Sequence, residues 1–300
     1  MTPGTINAAA AGTWKLGDLT VNRMGFGAMR LPQDGPALIA DSVPADRDRA
    51  ISVLRRAVDL GVNHIDTAAF YFSPLRSANE LINTALAPYP DDLVIATKVG
   101  PGRDASGEWM DRARPGQLRG RVEENLRQLG RDHLDLVYYR MQSAATSLAE
   151  HIGALAELQQ AGLIRHLGVS GVTPQRLAEA RAVAPVVAVQ NRFAVGTHDT
   201  GMLETCGRQN LAFIPFFAIA GRGGGAGVTG RESAEVLAVA AAHDATPAQV
   251  RLAYTLQLGP HVLAIPGTGS PDHLAENIAA GALRLSAAEM TRLAGALQPD

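Results

Sequence analysis

Short apolar runs alternate along the chain with longer segments whose apolar positions recur every three or four residues. The first pattern predicts strands and the second amphipathic helices. Strands are expected at Arg23–Gly27, Asn63–Thr67, Leu93–Val99, Leu134–Arg140, His166–Ser170, Val186–Asn191, Leu211–Phe217 and Val262–Gly267. Helices are expected near 46–60, 76–87, 116–129, 147–161, 174–183, 199–209, 246–258 and 271–280. Thr173-Pro174, Thr246-Pro247 and Ser270-Pro271 each set a capping hydroxyl before a proline at a first helical position. Several strands are apolar throughout rather than alternating, which is the pattern of strands covered on both faces.

Eight strands, each followed by a helix, predict an α/β fold of the (β/α)₈ (TIM) barrel type. Gly17-Asp18 lies between two short strand-like runs, which predicts an N-terminal β-hairpin closing the barrel's bottom. Ser233–His243 reads as an extra helix inserted after strand seven, before the seventh regular helix. A doubly wound sheet is the rival, but no GxGxxG opens a helix after an early strand. No linker or composition break divides residues 1–300, so one domain is expected. GRGGGAG, residues 221–227, lacks the Gly-Lys-Ser/Thr of a P-loop and is expected to be a loop or a flap over a ligand.

The 300 residues carry 27 Lys plus Arg against 29 Asp plus Glu, a net charge of −2, which argues against nucleic-acid and anionic-membrane partners. Cys206 is the one cysteine, so no intramolecular disulfide or cysteine metal cluster can form, and an inert buried thiol is expected. The first residues show no basic region before a long apolar run, and nothing approaches a membrane span. A cytoplasmic protein, monomeric or weakly self-associating, with no metal, is the expectation. His64, His133 and His166 sit beside strands and are expected to be packing or surface residues.

In such a barrel the active site lies at the C-terminal ends of the strands. Asp66, Lys98 and Arg140 end strands two, three and four, and Tyr71 stands five residues beyond Asp66. Each alone has an ordinary reading: a helix cap, a loop charge, half-buried packing. Adjacent strands bring them to one rim, and there the set has a specific chemistry. A tyrosine is a poor acid at neutral pH. A neighbouring ammonium lowers its pKa, and a carboxylate keeps that ammonium charged and oriented. Asp, Lys and Tyr together make a general acid. Arg140 ends an apolar strand, where a guanidinium has no place unless it faces a site.

DTAAFY (66–71), ATKVG (96–100), GVSG (168–171), VQNRF (189–193) and IPGTGSPDHLAEN (265–277) resemble, in order, the motifs of the aldo-keto reductase superfamily. The resemblance covers nearly the whole chain. It implies NAD(P)H-dependent carbonyl reduction on a (β/α)₈ barrel, with Asp66, Tyr71 and Lys98 at three positions of an Asp-Tyr-Lys-His tetrad. Arg140 stands where the family usually has His, and with FIPFF at 213–217 it most resembles a bacterial branch that contains pyridoxal reductase.

By the same resemblance Gly27, Ala28 and Met29 lie near the nicotinamide, and Ser170 and Gln190 hold its carboxamide. Gly171 stands where Asn is usual, Phe213 stacks on the ring, and Pro215, Phe216, Phe217, Ala218 and Gly221 cover the pyrophosphate. Gly267, Thr268, Gly269 and His273 occupy the 2′-phosphate region, with Glu276 and Asn277 on the adenine. Lys, Ser and Arg often fill the positions of Gly267, Thr268 and His273 in NADPH-specific members. Thr268, His273 and helix N–H groups remain to hold a phosphate, so NADPH is expected, with NADH the alternative. The implied substrate is a small-molecule carbonyl compound: pyridoxal, or a ketone of a secondary metabolite. A cofactor-sensing subunit is the remaining reading.

Overall fold

The computed structural model describes residues 6–141, 147–193, 200–216, 218–219 and 232–295. Its centre is a parallel sheet made of β1 (Phe26–Gly27), β2 (His64–Asp66), β3 (Val94–Val99), β4 (Leu134–Arg140), β5 (Ile164–Ser170), β6 (Ala188–Arg192) and β7 (Ala212–Phe216). These strands pair in chain order from β1 to β7. The helices are α1 (Arg47–Asp59), α2 (Ala78–Leu86), α3 (Leu118–Leu129), α4 (Leu148–Gln160), α5 (Pro174–Val183), α6 (Gly201–Arg208), α7 (Ala234–Ala242), α8 (Pro247–Gln257), α9 (Pro271–Ala279) and α10 (Ala287–Gly295). The capping hydroxyls of Thr173, Thr246 and Ser270 accept the N–H groups of Arg176, Gln249 and His273. Ser233 caps α7, the extra helix read from the sequence.

The eighth strand differs from its expectation. Val262–Gly267 forms no ladder; it makes single parallel bridges to both edges of the sheet, Phe213 with Val262 and Met24 with Ala264. Leu263 N–H donates to Phe213 O, Gly25 N–H to Ala264 O and Gly27 N–H to Pro266 O. Pro266 has no N–H to give, which keeps the run short. The ring of a (β/α)₈ barrel is therefore closed by a clasp.

Alternation along the strands sorts side chains to two cores. Val94, Ala96, Leu136, Tyr138, Ala188, Ala212, Ile214 and Leu263 fill the lumen. Ile95, Val99, Val137, Val169, Val189 and Phe213 pack outward with residues of the helices. The lumen is plugged from below by a hairpin of Thr13–Leu16 and Leu19–Asn22, whose Leu16 and Val21 are fully buried in the inner core. Gly17 makes its turn at φ +66°. Arg23 then locks the seam: its guanidinium donates to the carbonyls of Val262 (3.0 Å), Ala11 (3.0 Å), Gly259 (2.9 Å) and Leu256.

Two-residue ladders at Gln33–Asp34 with Val43–Pro44, and at Phe72–Ser73 with Arg76–Ser77, shape loops after β1 and β2 that sequence periodicity did not mark. Helix α10 was also unmarked. Among the described residues, no helix is long and apolar enough to cross a membrane.

The hairpin turn is fastened electrostatically. Asp18 accepts from Arg165 Nη2 at 2.6 Å and from His166 Nε2 at 2.5 Å. The hydrogen bonds from Arg165 and His166 hold its carboxyl well below the ordinary value of 3.8. A depressed carboxyl adds stability above its unfolded pKa and loses it as pH falls through the folded value. Asp18→Asn should therefore lower stability at pH 7, by under about 1 kcal/mol because the pair is exposed. The difference from the parent should shrink in urea titrations below about pH 4, and a difference that grows there would contradict it.

Candidate active site

The lumen-facing residues at the upper strand ends are polar where those below are apolar. Asp66 ends β2, Lys98 is the last inward residue of β3, and Gln190 is the last fully buried inward residue of β6. Lys98 Nζ lies 2.5 Å from Asp66 Oδ1 and donates to Thr67 O at 3.0 Å. Both side chains of this ion pair are nearly closed to solvent, at 6% and 5% exposed. Gln190 Nε2 donates to Asp66 Oδ2 at 2.7 Å. Strands β2 and β6 stand opposite each other in an eight-membered ring, so this bond spans the lumen.

Tyr71 arrives on the β2–α2 loop. Its N–H donates to Ala68 O and its carbonyl accepts from Ala78 N–H, at the start of α2. Phe70 packs edge-on against the Tyr71 ring at 5.1 Å, and Lys98 Nζ stands 4.8 Å from that ring's centroid. Burial pushes the phenol above its ordinary value of 10, while the charge of Lys98 and a hydrogen bond with it pull the other way. The sequence reading of a lowered pKa is corrected here: the ammonium acts in the expected direction, and desolvation outweighs it. Burial works against the charged form of Lys98, but Asp66 and then Tyr71 override it and leave the ammonium pKa raised.

Arg140 does face the mouth. Nη1 donates to Ser170 Oγ at 2.9 Å, and the guanidinium lies 4.6 Å from the centroid of the Phe216 ring. Burial draws its pKa down, against the charges of Tyr71 and Asp66, and it remains a cation with further N–H groups to donate. Gly171, the next residue after Ser170, has φ +72°, a conformation that favours Gly or Asn. Asn191 Oδ1 accepts the N–H groups of Gly171 (2.9 Å) and Val172 (3.1 Å) and fixes that turn.

One expected cofactor contact is overturned. Phe213 is 1% exposed, points to the helix layer and packs edge-on against Phe193 at 5.7 Å. It cannot present a face to the mouth. Alternation from Ala212 and Ile214 makes Phe216 the inward ring of this strand, while Pro215 shares the outward parity of Phe213. Ala218 is buried, and Phe217 and Gly221, with the glycine patch, lie outside the described residues.

At the clasp, the backbones of the first and eighth strands touch. A Cβ at Gly27 would sit 2.6 Å from Ile265 O, and one at Gly267 would sit 2.4 Å from Gly27 O. Ala28 and Met29 continue as a short 3₁₀ turn beside it. Beyond the clasp, Gly269 leads into α9; Thr268 Oγ1 accepts Ser270 N–H at 3.0 Å and Ser270 Oγ caps the helix through His273 N–H. His273 and Glu276 are exposed and Asn277 is buried. No Lys or Arg lies in the first turn of α9, where Asp272 is the acidic residue. Cys206 is fully buried, as expected, and burial pushes its thiol pKa up to about 12.

A buried Asp–Lys pair lies against a tyrosine, with an arginine beside it, at the mouth of a (β/α)₈ barrel. Residues 23–298 match the model of the Aldo/keto reductase family, and the chain belongs to that family. It is 42% identical to pyridoxine 4-dehydrogenase of Escherichia coli over 95% of this chain and 98% of that one. A thermostable aldo-keto reductase, crystallised with the inhibitor epalrestat, superposes with a TM-score of 0.80 at 27% identity, over 95% of this chain and 99% of that one. An aldo-keto reductase from Klebsiella pneumoniae, crystallised with NADPH, shares the fold at a TM-score of 0.74 and 24% identity, each chain being 93% covered.

The ion pair has a thermodynamic consequence. Lys98→Met strands the Asp66 carboxylate in the lumen with Gln190 alone, and should cost about 3–5 kcal/mol in chemical denaturation. Asp66→Asn added to Lys98→Met should recover part of that loss. Purely additive losses would mean the pair is uncoupled.

Proposed function

We propose that this protein reduces an aldehyde or ketone to an alcohol with NADPH, Tyr71 supplying the proton. The observation that carries the reading is the buried Asp66–Lys98 pair set against the Tyr71 ring at the rim. The donor set suits a nicotinamide dinucleotide: a hydroxyl (Ser170) and an amide (Gln190) for a carboxamide, and the hydroxyls of Thr268 and Ser270 at the N-terminus of α9 for a phosphate. When bound, the reduced nicotinamide supplies the hydride. The protein's own part is acid–base and electrostatic. A phenol held above its ordinary pKa stays protonated across the neutral range, and an alkoxide forming beside it is far more basic and takes that proton. Lys98 stabilises the phenolate left behind, and Asp66 keeps Lys98 charged and in place. Arg140 holds the substrate oxygen or an anionic group next to it; being charged, it stabilises an oxyanion more strongly than a neutral imidazole.

Pyridoxal is the substrate best supported, by the extent of likeness to pyridoxine 4-dehydrogenase. A second reading, a tailoring reductase for a bulkier apolar ketone, draws on Trp109, which packs on Phe70 beside Tyr71 yet is 48% exposed. Comparison of kcat/KM for pyridoxal and for bulky aryl ketones separates the two.

Tyr71→Phe should lower carbonyl turnover by about 10²–10⁴-fold with NADPH affinity, read by fluorescence titration, unchanged. Undiminished turnover would remove Tyr71 from the mechanism. Arg140→His should raise KM for pyridoxal and leave KM for NADPH within about two-fold, given the cost of losing a charge-assisted bond. If neither the substrate range nor the pH profile moves, the arginine is a bystander.

A further inference from the structure

On the helix-facing side of β2 and β3, behind the ion pair, lies a second polar cluster, buried except at its Gln128 edge. Thr67 follows Asp66 in the chain, and Thr97 precedes Lys98; both are 0% exposed. Thr67 Oγ1 donates to Asn79 Oδ1 at 2.8 Å, and Thr97 Oγ1 donates to Asn125 Oδ1 at 2.6 Å. The amides are themselves joined, Asn79 Nδ2 donating to Asn125 Oδ1 at 3.0 Å and to Gln128 Oε1 at 3.0 Å. Asn125 Nδ2 donates to Arg121 O at 2.8 Å, so its amide is engaged at both ends.

Packing alone does not account for this cluster. Asn125 interrupts the buried apolar stripe of α3, made by Leu118, Val122 and Leu129. An apolar side chain would continue that stripe, and a well-packed apolar residue is often at least as stabilising as a buried polar network. What the cluster holds is specific. Thr67 O is a direct partner of Lys98 Nζ. Thr67 also opens the loop that carries Tyr71, and Asn79 stands in the first turn of the helix that ends it. The Thr67–Asn79 bond therefore pins the base of the Tyr71 loop, and the Thr97–Asn125 bond pins the strand at Lys98. Asn125 joins the two through one oxygen. Strand β2 is only three residues long, and its last backbone bond to β3 is the one Thr67 N–H gives to Ala96 O at 2.8 Å, so beyond Thr67 the loop is held by side chains.

We propose that Asn125 and Asn79, acting through Thr97 and Thr67, are positioning residues that hold Lys98 and Tyr71 at the separation proton donation requires. The inference rests on Tyr71 being the proton donor. It assigns helices α2 and α3 a part in the reaction, since ångström-scale placement of reacting groups carries large rate factors.

The test uses near-isosteric changes in the full-length protein. Thr97→Val deletes one hydroxyl at almost constant volume; Thr97→Ser restores it. Thr97→Val should lower kcat for carbonyl reduction about ten-fold, with KM for NADPH and NADPH affinity by fluorescence within about two-fold, and Thr97→Ser should recover most of the loss. Loosening the cluster also admits water beside Tyr71, so the alkaline limb of the kcat profile should move to lower pH. Asp18→Asn, at the far end of the barrel, serves as a variant that lowers stability without touching kcat. If Thr97→Val lowers the melting temperature while kcat and its pH profile stay as in the parent, the cluster is structural and the inference is overturned. If Tyr71→Phe keeps its turnover, the reading of the site fails first, and the two failures are told apart.

Discussion

A single buried carboxylate organises the active end of this molecule. Asp66 sits in the lumen with almost no contact to water, and each oxygen must find a partner because an uncompensated charge there costs several kcal/mol. One oxygen takes the Lys98 ammonium and the other the Gln190 amide. The partners come from the adjacent strand and from the opposite wall of the barrel. That arrangement turns an electrostatic requirement into a geometric one: the strand ends can close only in the register that satisfies the carboxylate. Lys98, once charged and fixed, in turn determines where a tyrosine beside it can sit.

Above the strand ends, three loops form the wall of the mouth, and a second buried cation ties them. Arg103 donates to the carbonyls of Gly107 (2.7 Å), Phe72 (2.7 Å) and Ile39 (2.8 Å), so the loops after β1, β2 and β3 meet on one guanidinium. Its ring contact with Phe72, at 4.5 Å, completes the fit. The planar fork suits this work in a way a lysine would not. The Tyr71 loop is therefore braced from above by Arg103 and from below by the amides of α2 and α3.

The barrel was legible in the chain because it depends on local rhythm: apolar run, turn, amphipathic helix, with hydroxyl–proline caps marking several starts. The convergence of Asp66, Lys98 and Arg140 was legible because strand ends meet by topology, with Tyr71 following on the loop after β2. What escaped depends on closure or on strand parity. Phe213 was placed in the site because the resemblance sets it where a ring-stacking Tyr is common, but alternation from Ala212 turns Phe213 outward and Phe216 inward. The bond between Gln190 and Asp66 joins residues 124 apart and exists only once the ring is shut. Asn125 did leave a trace, an amide at a position of α3 where the stripe calls for an apolar residue. The eighth strand was overextended, because Pro266 and Gly267 cut short a run that reads as continuous.

The clasp at that eighth strand bears on how the whole protein behaves with and without its ligand. The ring is complete except at one seam, where a few backbone bonds and the Arg23 guanidinium join first strand to last. The segment Gly267–Ser270, which the donor set marks for a phosphate, leaves directly from this seam. A ligand held there and not by the unfolded chain would, by mass action, add to folding stability through its free concentration relative to Kd. The eighth strand is held by single bridges rather than by a ladder, so its closure leans on the Arg23 side chain. Cofactor supply and resistance to unfolding would then rise and fall together, and the cell's nicotinamide pool would act as a chaperone for the fold that consumes it.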